Sequence, residues 1–173
     1  DNRLTLVNNE FEIFGQVVDE VEGLVFTGNI RFSDMGPDGN SDFNAFNPSV
    51  AYNSTSKEYL VVWEGDDNTG CLVEGEFEIC GQRVSGLGQE IGSDFRISNQ
   101  GFDGNVLFDA EDPVAAFNST DNEYLVVWNG DFNSGNAVAG EDEIFGQLLA
   151  ADGTEIGANF RISDMGFDGF TNT

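Results

Sequence analysis

The sequence predicts an all-β fold of tandem four-stranded antiparallel units, and three observations carry that prediction. A single period runs through the 173 residues, since Trp128 and Trp63 are 128 − 63 = 65 apart, as are Ser163 and Ser98 at 163 − 98 = 65. Within each period, runs rich in Val, Ile, Tyr, Phe and Trp alternate with turns rich in Gly, Asn and Asp. No stretch spaces its apolar residues at helical intervals.

The repeat sets the organisation. Residues 44–108 align with 109–173 without a gap, pairing Asn53-Ser-Thr with Asn118-Ser-Thr and Glu58-Tyr-Leu-Val-Val-Trp with Glu123-Tyr-Leu-Val-Val-Trp. Residues 1–43 are the later part of a third copy, in which Glu10-Phe-Glu-Ile-Phe-Gly-Gln falls on Glu76-Phe-Glu-Ile-Cys-Gly-Gln and Arg31-Phe-Ser falls on Arg96-Ile-Ser. A period this long marks supersecondary units that bury their faces only against neighbours.

Taken in order, the first strand of a unit is expected at Ser49–Asn53. It turns through Ser-Thr-Ser-Lys into a second at Glu58–Glu64, where Tyr-Leu-Val-Val-Trp is β-branched and aromatic. A third runs from Glu76 to Val84 and closes on a Gly-rich turn, and a fourth centres on Phe95–Ser98. Residues 59–63 are apolar without interruption, as in a strand covered on both faces, whereas Glu76-Phe-Glu-Ile and Phe95-Arg-Ile-Ser alternate, as in strands near solvent. Four antiparallel strands graded from buried to exposed resemble a propeller blade. A β-sandwich is the alternative. The N-terminal unit keeps only its third and fourth strands, so its third strand presents an edge on which another chain can add a strand.

The order Pro-Ser-Val-Ala-Tyr-Asn, Glu-Tyr-Leu-Val-Val-Trp, Glu-Ile-Cys-Gly-Gln-Arg, Gln-Glu-Ile-Gly and Phe-Arg-Ile-Ser resembles repeats of large secreted bacterial surface proteins taken to be β-propellers. The resemblance spans nearly the whole chain. It implies the blade fold and an extracellular setting, and it brings no catalytic motif.

Composition narrows function. With 6 Lys plus Arg against 32 Asp plus Glu, the net charge is −26, and there is no His. So few cations cannot neutralise a run of phosphates, which excludes groove-tracking contact with nucleic acid and docking on anionic membranes. No apolar run is long enough to insert into a bilayer. Absence of His removes imidazole general bases and His-based triads. Acidity, scarce Lys and a cysteine pair point to a secreted, extracellular or cell-surface protein.

The acidic loops are the candidate metal sites. After the fourth strand come Asp34-Met-Gly-Pro-Asp38-Gly, Asn99-Gln-Gly-Phe-Asp103-Gly and Asp164-Met-Gly-Phe-Asp168-Gly. Oxygen ligands alternating with Gly suit Ca²⁺, which takes six to eight oxygens, and Asp42, Asp109 and Asp112 lie just downstream to be recruited. A second acidic group lies between the second and third strands, Asp66, Asp67 and Glu76 in one copy, Asp131, Glu141 and Glu143 in the next. The competing reading is that Asp-Gly and Asn-Gly are ordinary turn sequences.

Cys71 and Cys80 occur in one copy only, which favours a disulfide across a hairpin, worth about 2–3 kcal/mol for a ten-residue loop. Asn53 and Asn118 head sequons at expected hairpin tips, candidates for glycosylation. Arg31, Arg96 and Arg161 recur at one position and are expected to pair with nearby carboxylates. Trp63 and Trp128 are expected in the core.

Ser33-Asp-Met-Gly lacks the spacing of a sialidase Asp box, and the acidic groups recur with the repeat, whereas catalysis needs one asymmetric constellation. The expected function is therefore not enzymatic. It is a calcium-stabilised extracellular structural module that self-assembles through its incomplete N-terminal unit into a homo-oligomer or fibre. The alternative is a carbohydrate-binding, lectin-like propeller fragment that contacts a glycan through aromatics such as Phe102 or Phe167.

Overall fold

A computed structural model describes residues 6–18, 27–68, 73–131 and 142–165. Among them the chain is all-β, without a helix. It forms a two-stranded ribbon, β1 (Phe14–Gly15) and β2 (Ile30–Arg31), and two four-stranded sheets. The first sheet orders β3 (Ala45–Asn53), β4 (Glu58–Gly65), β5 (Glu78–Ser85) and β6 (Glu90–Arg96). The second repeats it with β7 (Ala110–Asn118), β8 (Glu123–Asp131), β9 (Asp142–Ala150) and β10 (Glu155–Arg161). Among the described residues all pairings are antiparallel between sequence neighbours, and no sheet closes into a barrel.

The register repeats with the sequence. Val61 pairs with Val50 and Gln82, as Val126 pairs with Ala115 and Gln147. The first strand of each sheet shifts register after Phe46 or Glu111, where Asn47 and Asp112 take positive φ of 49° and 53°. Asn and Asp tolerate that left-handed conformation better than most residues.

The first, third and fourth strands differ in their bounds from those expected, the first starting at Ala45 rather than Ser49. The fourth strand starts at Glu90, because Gln-Glu-Ile-Gly joins the ladder, and it ends at Arg96. Ile97 and Ser98 leave the ladder, both donating their N–H to the Ile79 carbonyl. The third strand starts at Glu78 and is as buried as the second, although its sequence alternates. Its buried polar residues are satisfied locally: Gln82 Nε2 donates to the carbonyls of Arg83, Ile91 and Gly92, plugging the bulge in β6, and Gln147 does the same in the next sheet. Satisfied amides at a bulge remove the cost of burying them.

The first sheet buries both of its faces. On one face of the first sheet, Ala51, Leu60, Val62, Ile79 and Ile97 pack against Ala110, Tyr124, Val126, Trp128, Phe145 and Leu149 of the second. On its other face, Ala45, Val61, Trp63, Cys80 and Val84 pack against Ile13, Phe32, Met35 and Phe43 of the N-terminal unit. In repeat terms these are one interface made twice. The Leu60 face of one unit covers the Trp face of the next, and Ile13 and Phe32 stand where Ile79 and Ile97 stand. The third strand lies close beneath the residue that follows the fourth: a Cβ at Gly81 would lie 2.8 Å from Ile97 Cδ1, and one at Gly146 would lie 3.0 Å from Ile162 Cδ1. Both tryptophans are core residues, as expected.

Candidate functional site

The acidic residues converge at one end of each unit, where the entry to the third strand meets the loop after the fourth. Glu76 is fully buried, and both its oxygens accept the N–H of Gly104, at 3.1 and 2.8 Å. It also accepts Val73 N–H at 3.2 Å. Glu10 does the same one unit earlier with Gly39 and Val7. Gly39 and Gly104 have φ of 88° and 89°, so the Asp-Gly step turns its amide inward as only glycine does without strain.

Two residues on stands a second carboxylate. Glu12, Glu78 and Glu143 accept the hydroxyl protons of Ser33, Ser98 and Ser163 and the N–H groups of Met35, Gln100 and Met165. Each serine oxygen accepts in turn the N–H of Ile13, Ile79 or Ile144. Burial pushes the Glu12 and Glu78 carboxyls up to about 7, against the pull of these hydrogen bonds. Of this Glu–Ser clasp only Glu143 was among the expected positions, as a member of the second acidic group. Its signal in the sequence is the recurrence of Glu-x-Glu with the last Ser of Arg-x-Ser.

The expected ligands have other partners. Arg31 pairs with Asp34 and Asp38, Arg96 with Asp103 at 2.9 Å, and Arg161 with Asp164 at 3.0 Å. The arginines thus act as the struts expected of them. Asp66 accepts the N–H groups of Asn44 and Gly75, and Asp109 that of Phe77. Asp112 accepts from Asn47 Nδ2 at 2.9 Å. Asp42 and Asn99 are exposed. Asp168, Glu141, Phe167 and Cys71 lie outside the described residues, and with Cys71 so does the disulfide; Cys80 is buried, and burial pushes its thiol well above its ordinary range.

Asp109 and Asp131 do come together, lining a small recess of about 100 Å³ with Glu111 and Asp142. Burial, then repulsion from Asp131, Glu76 and Asp66, raises the Asp109 carboxyl above its ordinary value. Among the described residues, no three acidic side chains stand close enough to hold a metal ion as placed.

The two sequons differ. Asn53 is fully buried, and its Oδ1 accepts the N–H groups of Thr55 and Ser56. Asn118, at the equivalent tip, is exposed. Phe102 is an exposed loop aromatic. Among the described residues no helix is long and apolar enough to cross a membrane.

The clasp also positions a buried plug between units, Met35 in one case and Gln100 in the other. The residue whose N–H the second glutamate holds inserts beside the tryptophan of the following sheet. A Cβ at Gly65 would meet Met35 Sδ at 2.7 Å, and one at Gly130 would meet Gln100 Nε2 at 2.2 Å. Met35 and Gln100 are 2% and 1% exposed; Met165, the third of the series, is 78% exposed. No protein-family model matches the chain, and the search of curated proteins finds no match to it either.

Proposed function

We propose that this chain is a non-catalytic extracellular structural module of propeller-blade-like repeats, whose copies join head to tail through the outer face of the last sheet and the incomplete N-terminal unit. One observation carries the reading. The interface made twice within the chain has a third half that is open: Ile79 is 0% exposed where its equivalent Ile144 is 40%, and Met165 is 78% exposed where its equivalents Met35 and Gln100 are buried. Ile97 is likewise buried where Ile162 is exposed. A surface that is self-complementary by repetition but not by two-fold symmetry gives heterologous contacts, hence a ring or a fibre.

The carboxylates support a structural rather than an enzymatic reading, because most face N–H groups or arginines at positions that recur with the repeat. Calcium stabilisation rests on charge rather than on a formed site. The loop carboxylates are engaged by the chain's own donors, so the Asp109, Glu111, Asp131 and Asp142 recess is the better place for an ion, and Ca²⁺ there would offset the crowding of like charges. A ligand at 100 times its dissociation constant adds about 2.7 kcal/mol to the native state. Thermal melts and negative-stain micrographs in millimolar calcium and in EDTA test both halves. Assemblies, and a melting temperature higher in calcium, are expected. Single particles of monomer size in both conditions would remove assembly, and identical melts would remove calcium.

A further inference from the structure

We propose that the junction between the N-terminal unit and the first sheet is a joint set to open before the rest of the fold, with residue 94 as its latch. One interface is built twice in the described residues, and the two copies are held differently.

In the junction between the two sheets, Asn159 closes the seam. Its Oδ1 accepts the N–H of Asn99 at 2.8 Å, and its Nδ2 donates to the Ile97 carbonyl at 3.1 Å and to Gln147 Oε1 at 2.6 Å. One amide thus ties β10 to β9 and also to the segment that follows β6. In the N-terminal junction the same position is Asp94, whose Oδ2 accepts the N–H of Asp34 at 3.3 Å. An ionised carboxylate accepts and does not donate, so neither donor bond of Asn159 can form there. The acceptors are in place nonetheless. Phe32 stands where Ile97 stands, and Gln82, 2% exposed, holds its Nε2 on Arg83, Ile91 and Gly92 as Gln147 does on Leu148, Ile156 and Gly157, which turns its Oε1 the same way. A buried acceptor denied its donor costs stability.

Charge widens the difference. Asn99 and Asn159 occupy the positions of Asp34 and Asp94, so one junction is neutral where the other sets like charges together. Burial, then repulsion from Asp34 and Asp67, raises the Asp94 carboxyl above its ordinary value, and burial, Asp94 and Asp34 do the same to Glu90 on the same strand. Arg31 draws on Glu90 across the junction, but it also pairs with Asp34 and Asp38 of its own unit.

Opening here bares Val61, Trp63, Cys80 and Val84, which pack against Ile13, Phe32 and Met35. The N-terminal unit is therefore a hinged cap on the Trp63 face, and such local opening costs less than unfolding the whole.

Cys80 is buried in that face, and in a Cys71→Ser chain it is the sole thiol, the sequence having two cysteines. Its alkylation by iodoacetamide, followed by mass, should run faster than the unfolded fraction from urea titration allows. Adding Asp94→Asn should slow it at least about fivefold, the equivalent of one restored hydrogen bond. Adding Asp94→Ala instead, which removes the charge and supplies no donor, should slow it less. Labelling of the Cys71→Ser chain no faster than global unfolding, no slowing by Asp94→Asn, or equal slowing by both substitutions would overturn the proposal.

Discussion

Glu12 and Glu78 hold equivalent places under the ribbon and the first sheet, and burial pushes both carboxyls up to about 7 from an ordinary 4.5. The folded chain therefore binds these protons more tightly than the unfolded one. Stability from this source is complete below about pH 4.5, declines as pH rises toward 7, and stays lost above it, by a few kcal/mol in all. The melting temperature should be higher at pH 5 than at pH 8, and Glu78→Gln should narrow the difference. A melting temperature that rises with pH across that window would contradict the burial argument. The sequence made these glutamates visible as a recurring Glu-x-Glu but not their role, since charge can be read from residue type and the partner that neutralises it cannot. The arginines were legible because six cations among 32 acids must find a carboxylate nearby.

At the scale of the element, the second strand was the most legible, expected at Glu58–Glu64 and observed at Glu58–Gly65. Its unbroken apolar run leaves no other arrangement. The third strand was misjudged as half-solvated because Glu78 and Gln82 are polar, yet both are buried against the serine clasp and the bulge of the fourth strand. The acidic residues of the loops differ in what they do: Glu76 is a buried clamp, whereas Asp103 makes a partly exposed ion pair with Arg96. Their substitutions should differ accordingly. Glu76→Ala strands two amide donors and should cost about 2–4 kcal/mol in urea unfolding, while Asp103→Asn should cost less than about 1 kcal/mol. Equal costs would mean that the loop is held by its ion pair and not by the clamp.

Across the whole molecule, the period of the sequence foretold that units would share faces, but not which face is left open, because that depends on which side of each strand meets its neighbour. Structure supplies this. The Leu60 face is covered twice, each time by the following unit, and its last representative leaves Ile144 and Ile162 exposed. Expectation placed the exposed apolar surface at the N-terminal unit alone; the C-terminal sheet also leaves Ile144 and Ile162 exposed.

The central claim is that this open face binds another copy, and weight-average mass by light scattering against protein concentration tests it most directly. The mass of the unaltered protein should climb above 18.7 kDa through the micromolar range, while Ile144→Asp and Met165→Asp, both at exposed positions, should hold it there. A mass fixed at 18.7 kDa for the unaltered protein at every concentration, or growth unaffected by either substitution, would contradict it.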